Sequence, residues 1–288
     1  MLRAETMPDR LDATNSFAID VQTDRPIRDW DEAFKHRLKN LLFEHHVLIL
    51  RGIGLKPSEQ VTFTKIFGDI ATPWDHHRIH PESPLVQVVS NAKQKDPSYK
   101  SVTLTWHSDE SFRMRPSRLT ILHALNVPSV GGRTLFADLR AGYADYPTTT
   151  RSWLDGLIAI HSFEFVLGAT LATRVSPEAA RVEIERFPDV SHPLVRLIPE
   201  TAQKAFYLNQ MCLSHIESLS KADSESLLAS VYAHCLQDKY IYSHQWRVGD
   251  TVVWDNACVL HRAEDIPGQE SRVFNRTITV GEVPRGVP

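Results

Sequence analysis

Cysteine is scarce in this 288-residue chain: Cys212, Cys235 and Cys258 are widely spaced and odd in number. No Cys-x-x-Cys pair offers a structural zinc site, and no even framework offers the disulfides of a small secreted domain. No apolar run approaches the roughly 20 residues needed to span a bilayer. The stretch from Met1 to Phe17 mixes acids and bases without an apolar core, so no signal peptide is expected. No basic run stands out, and a formal net charge of −3 has the wrong sign for a general nucleic-acid binder. Internal repeats, low-complexity tracts and a clear domain boundary are also missing. A soluble, cytoplasmic protein is expected, with residues 1–288 forming one domain. With 42% hydrophobic and 23% charged residues, it has ample material for a core.

Residues 1–24 are polar and read as an extended or poorly ordered segment. Trp30, Ala33, Phe34, Leu38, Leu41 and Leu42 recur at helical spacing, which predicts a helix over 29–43. The run from His46 to Leu50 reads as a buried strand, closed by Gly52 and Gly54. Pro57 and Ser58 open a second helix that Gly68 ends. Residues 70–102 carry four prolines, Trp74 and the cluster His76-His77-Arg78-Ile79-His80, interrupted by one strand over 85–89. Irregular segments of that length inside a compact domain are usually functional, so an active-site lid is expected there.

Beyond residue 102 the pattern is mostly short strands, expected at 102–106, 119–125, 134–136, 157–166, 194–198, 206–208, 240–246, 251–254 and 273–280. Asp138 is expected to cap a short helix ending before Pro147, and a longer helix fits 223–236. Many short strands with interposed turns and few helices predict a mainly β protein, a double-sheet jelly roll with flanking helices.

The chemistry concentrates in Thr105-Trp106-His107-Ser108-Asp109-Glu110-Ser111-Phe112. On a strand or its frayed end, residues i and i+2 point to the same side, so His107 and Asp109 can reach one metal ion. A mononuclear iron site of two histidines and one carboxylate then needs one more histidine. His80-Pro81-Glu82 and His215-Ile216-Glu217 fit the same loose pattern but read as surface residues. His261 ends the apolar run Ala257-Cys258-Val259-Leu260, which places its ring against the core edge. Arg272 and Arg276 lie four apart on one face of an expected strand, and two guanidiniums suit a dianionic ligand.

The segment 106–112, the run Gly131-Gly132-Arg133-Thr134, and Trp254-Asp255-Asn256 through His261, Arg272 and Arg276 resemble the TauD/TfdA family. Those proteins are Fe(II)- and 2-oxoglutarate-dependent dioxygenases with a cupin-like double-stranded β-helix. Arg247-Val248-Gly249-Asp250-Thr251 and His192-Pro193-Leu194-Val195-Arg196 are further landmarks, and the likeness runs from about residue 40 to 281. The herbicide-degrading branch looks closer than the taurine branch. The resemblance implies His107, Asp109 and His261 as iron ligands. It implies Arg272, eleven residues after His261, and Thr134 as partners of the far carboxylate of 2-oxoglutarate. Arg276 matches a second arginine, near the C1 carboxylate or the substrate's anionic group.

The cofactors implied are Fe(II), 2-oxoglutarate as co-substrate, and O2, with succinate and CO2 released. As a carboxylate ligand, Asp109 fills the position that a halogenating relative leaves to chloride, so hydroxylation is expected. The expected substrate is a small organic anion, with His76, His77, Lys93, Lys95 and Asn209 as its candidate partners. His76-His77 stands near where the herbicide enzyme has a lysine. Thr103 replaces the asparagine of taurine dioxygenase. The role is catabolic or a tailoring step in natural-product synthesis, and the family's frequent oligomers make a homo-oligomer a further expectation. Rival readings are a non-catalytic jelly-roll binding protein and a zinc hydrolase built on the same three ligands.

Overall fold

In a computed structural model, the structure describes residues 10–13, 17–91, 103–165, 176–267 and 270–288. In chain order the first strands are β1 (Arg10–Ala13), β2 (Ala18–Gln22), β3 (Val47–Leu50), β4 (Ile79–His80) and β5 (Ser83–Ser90). They are followed by β6 (Leu119–Asn126), β7 (Thr134–Asp138), β8 (Ile158–His161), β9 (Val190–Pro193), β10 (Val195–Leu197) and β11 (Lys204–Phe206). The last are β12 (Leu213–Ile216), β13 (Ile241–His244), β14 (Thr251–Asp255), β15 (Val259–Ala263) and β16 (Val273–Ile278).

Eight of them form one sheet in the order β1-β2-β3-β14-β6-β16-β5-β4. Facing it are the small sheets β13-β7-β15 and β12-β8-β9 and the pair β10-β11. This is the sheet-rich double-stranded β-helix expected from the short-strand pattern.

β3 is apolar throughout because both of its faces are covered. Val47 and Ile49 of β3 enter the core between the sheets, together with Leu122, Val252, Trp254 and Phe274. Leu48 and Leu50 point the other way, joining Leu119, Ile121 and Val253 beneath two helices. A strand sandwiched this way loses the polar alternation of a half-exposed one, which is why His46–Leu50 reads as a continuous apolar run.

Those helices are α1 (Glu32–His45) and α2 (Pro57–Phe67). The Asp31 carboxylate accepts from the Phe34 N–H at 2.7 Å and caps α1, whose far end closes on His46 at φ 63°. α2 starts with Pro57 at its first position. Both match the spacing argument within a few residues.

Further helices are α3 (Leu139–Ala144), α4 (Thr148–Asp155), α5 (Pro177–Arg186) and α6 (Lys221–Cys235). Asp138 caps α3 by accepting from the Arg140 and Ala141 N–H groups, as expected. α4 and α5 were not foreseen, although α5 carries a legible start: Ser176 accepts from the Ala179 N–H, and Pro177 follows it.

Three strand assignments need correction. Thr103 and Leu104 are helical, and His107 makes only an isolated bridge, so no strand runs to Trp106. The strand expected over 157–166 ends at His161, and the one expected at 206–208 lies at 204–206. Short apolar runs do not reveal their conformation through periodicity alone.

In the segment expected as a lid, 83–90 is an internal strand of the large sheet, paired with β16 and β4. Within the N-terminal segment, β2 is buried and pairs in parallel with β3.

Candidate active site

His107 and His261 meet through the backbone. The His107 N–H donates to the His261 carbonyl at 3.0 Å, and the His261 N–H donates back to the His107 carbonyl at 2.8 Å. β15 carries His261 and pairs along β7, so His261 sits opposite Phe136, with the Trp254 ring 4.6 Å away. The two imidazoles lie 4.1 Å apart between centroids. His107 uses Nδ1 to donate to the Thr105 carbonyl at 2.7 Å, which fixes its tautomer and leaves the Nε2 lone pair for a cation.

After His107 the chain turns sharply, with Glu110 at φ 58°, a left-handed conformation unusual for a residue other than glycine. Asn209 holds this turn. Its Nδ2 donates to the Ser108 carbonyl at 2.8 Å and the Ser111 hydroxyl at 2.7 Å, while its Oδ1 accepts from the Met211 and Cys212 N–H groups. Buried His192 reinforces the turn by donating through Nε2 to the Ser111 and Arg113 carbonyls.

The turn places the Asp109 carboxylate beside both rings, and the ligating atoms of His107, Asp109 and His261 all lie within 4.8 Å of one another. Arg276 meets Asp109 Oδ1 at 3.0 Å and donates to Gln87 Oε1 at 2.7 Å. The Thr120 hydroxyl donates to Asp109 Oδ2 at 2.5 Å, and that oxygen faces His261 Nε2 at 3.9 Å. Burial alone would raise the acid's pKa. The Arg276 guanidinium, together with His261, His107 and the Thr120 hydroxyl, outweighs it and holds Asp109 well below the usual carboxylate range. Burial lowers both histidines, so both are neutral near pH 7. Two neutral imidazoles and one ionised carboxylate form a donor set suited to a divalent iron ion.

All three open on a cavity of about 840 Å³ that Thr134, Arg272 and Arg276 also line. Thr134 Oγ1 accepts from the Trp246 indole N–H at 2.9 Å, so its own proton is directed to another acceptor. Arg272 stands over the Phe274 ring at 4.9 Å and donates to the Gly132 carbonyl at 2.9 Å. That carbonyl is presented by a turn with Gly131 and Gly132 at φ 70° and 66°, where Gly132 also passes so close to Pro128 that an added Cβ would lie 2.6 Å from it.

The expected substrate residues fare unequally. His76 lines the cavity, within a turn where Arg78 pairs with Asp75 at 3.2 Å. Asn209 lines it too, but its amide is committed to the turn after His107. Lys93, Lys95 and the side chain of His77 lie outside the described residues.

The cavity's far wall was not foreseen. Trp74, Phe112 and Phe163 line it, packed edge-on with centroids 4.8 to 5.8 Å apart; Met211 joins them, and Phe187 packs behind, edge-on to Trp74 at 5.9 Å. The aromatic residues come from four separate segments, so no local pattern marks them.

A second cluster with ligand chemistry, His46, Asp255 and Cys258, is fully buried. Arg118 closes it by pairing with Asp255, and none of the three lines the cavity. Among the described residues, no helix is long and apolar enough to cross a membrane.

The model of the family described as taurine catabolism dioxygenase TauD, TfdA family matches residues 11–278. Over 260 residues the chain is 32% identical to the alpha-ketoglutarate-dependent 2,4-dichlorophenoxyacetate dioxygenase of Burkholderia sp. (strain RASC), covering 85% of this chain and 84% of that one. It is 29% identical over 269 residues to the pentalenolactone F synthase of Streptomyces arenae, covering 90% of each. Among solved structures, a taurine dioxygenase from Burkholderia xenovorans superposes with a TM-score of 0.81 at 23% identity, covering 96% of this chain and 91% of that one. That last likeness concerns the fold alone.

Proposed function

The chain belongs to the TauD/TfdA family, and from that premise we propose that it hydroxylates a C–H bond of a small anionic organic molecule. It is an Fe(II)- and 2-oxoglutarate-dependent dioxygenase, and O2 is its second co-substrate. The observation that carries the reading is the convergence of His107, Asp109 and His261 on the cavity that Arg272 and Thr134 also line.

When bound, the iron and 2-oxoglutarate together activate O2 for removal of a substrate hydrogen, with succinate and CO2 as by-products. The protein's part is to bind, orient and exclude water. His107, Asp109 and His261 would hold the metal, and the cavity they open on would give further ligands access to it. Arg272 and Thr134 receive the far carboxylate of 2-oxoglutarate, the first as a charged fork and the second as a hydroxyl donor. Asp109 supplies a carboxylate on the metal, which favours hydroxylation over halogenation.

The Trp74, Phe112 and Phe163 wall offers an apolar surface to the substrate's body. His76 and Arg78, the latter paired with Asp75, also line the cavity and are the candidate partners for its anionic group. A phenoxyacetate, as in the name of one relative, has that combination of ring and carboxylate.

Anaerobic addition of Fe(II) and 2-oxoglutarate should give a weak visible charge-transfer band, absent in His107→Ala. A wild type without the band refutes the reading. Screening sulfonates, aryloxyalkanoates, amino acids and natural-product precursors for succinate release coupled to O2 uptake then finds the substrate. Turnover that proceeds equally without O2 would favour a zinc hydrolase. Ligand binding without turnover would favour a binding protein.

A further inference from the structure

The Asp109 carboxylate is held by more than its neighbours in the chain. Thr120 lies on β6 and Trp254 on β14, and the two are direct partners in the register of the large sheet. Asn256 follows just past the end of β14. Its Oδ1 accepts two hydrogen bonds, from the Asp109 backbone N–H at 3.1 Å and from the Trp254 indole at 3.2 Å. That leaves Nδ2 as the donor end, and it donates to Thr120 Oγ1 at 3.0 Å.

A hydroxyl has one proton to give, and because Thr120 Oγ1 already accepts from Asn256, its proton is directed to Asp109 Oδ2 at 2.5 Å. Thr120 and Asn256 are both buried, so water does not compete for these groups. One amide therefore grips the ligand twice, directly at its backbone and through a hydroxyl at its carboxylate. The oxygen that receives this bond is the one facing His261, while Arg276 holds the other. Rotation of the carboxylate is blocked from both sides.

We propose that Thr120 and Asn256 are positioning residues that set the Asp109 carboxylate as a one-oxygen metal ligand, with Oδ2 toward the metal. The inference rests on the iron-site reading above. Fixing a ligand's orientation in the protein, before metal arrives, lowers the ordering cost of binding and tunes ligand basicity. Loss of such outer partners typically weakens metal affinity by about 10- to 100-fold.

The test is Mn(II) binding to the apoenzyme, followed by the electron paramagnetic resonance signal of free Mn(II), with the anaerobic Fe(II)/2-oxoglutarate band as second readout. Thr120→Val keeps the shape and removes the proton donor, and is expected to weaken Mn(II) binding at least tenfold and shift the band. Thr120→Ser keeps the donor and should stay within about threefold of wild type. Asn256→Asp replaces the donor end with an acceptor that draws the Thr120 proton away, and should resemble Thr120→Val. If Thr120→Val does not fold, Asn256→Asp decides the question. Wild-type Mn(II) affinity and band position in a folded Thr120→Val or Asn256→Asp protein would overturn the proposal. Failure of the wild type itself to bind Mn(II) would instead refute the iron-site reading.

Discussion

Replacing Arg272 by glutamine should cost the protein most of its affinity for 2-oxoglutarate while sparing the metal. The guanidinium is anchored on one side by the Gly132 carbonyl and supported by the Phe274 ring, so the fork is pre-aimed. Each hydrogen bond from a charged donor to a carboxylate contributes about 1.5–3 kcal/mol, and a fork can make two. Arg272 is only partly buried, so solvent screening reduces the pair to about 2–4 kcal/mol. At 1.4 kcal/mol per factor of ten, the Kd should rise roughly 30- to 1,000-fold. Arg272→Lys keeps the charge but loses the planar fork, and should fall near tenfold. The assay is anaerobic titration of the Fe(II) protein with 2-oxoglutarate, following the charge-transfer band. Mn(II) affinity without 2-oxoglutarate should move by less than about twofold, since Arg272 is held by the Gly132 carbonyl and the Phe274 ring. A Kd within threefold of wild type in Arg272→Gln would refute the assignment.

Gly132→Ala forces a Cβ against Pro128 at a positive φ, so the turn must shift and carry the Arg272 anchor with it. A loss of about 1–3 kcal/mol in urea unfolding, with weaker 2-oxoglutarate binding, is expected, and wild-type values on both counts would exclude it. Burial pushes His46, His123 and His192 down from 6.5 to about 4. The unfolded chain takes up these protons below about pH 6.5 while the folded chain refuses them until about pH 4. Stability is therefore present above pH 6.5 and lost as pH falls through that window, by up to about 3 kcal/mol per histidine. Melts from pH 7.5 to 4.5 should show Tm falling steadily below pH 6.5, and a flat Tm would contradict it. Phe163→Leu opens the aromatic wall without removing its apolar character. It should raise KM severalfold for ring-bearing substrates and leave the charge-transfer band in place, and an unchanged KM for such a substrate would remove the wall from recognition.

Much of the fold was legible because burial leaves a period in the sequence. The run Val47-Leu48-Ile49-Leu50 has no polar alternation because helices cover one face and the second layer of strands the other. Pro57 and Asp138 mark helix starts through local backbone geometry only a few residues away. The stretch 103–106 was misread because four apolar or β-branched residues fit a helical turn as well as a strand. α5 was missed although Ser176-Pro177 announces it. Its core-facing side is thin, with Ala180 its buried residue, so the hydrophobic pattern was weak.

What the sequence alone determined is the chemistry of the donors. His107 and Asp109 are neighbours by covalent geometry, His261 is tied to an apolar strand, and Arg272 and Thr134 stand at spacings that mark the family. The tertiary structure decided what those groups touch. Arg276, expected beside a 2-oxoglutarate or substrate anion, lines the cavity and also meets Asp109 with its charge. Asn209 was expected to meet the substrate, yet its amide holds the turn that carries the metal pair. The Thr120–Asn256 relay depends on β6 and β14 lying side by side in one register. Hydrogen bonds between residues far apart in the chain have no period, and only the packed sheet brings their partners within reach.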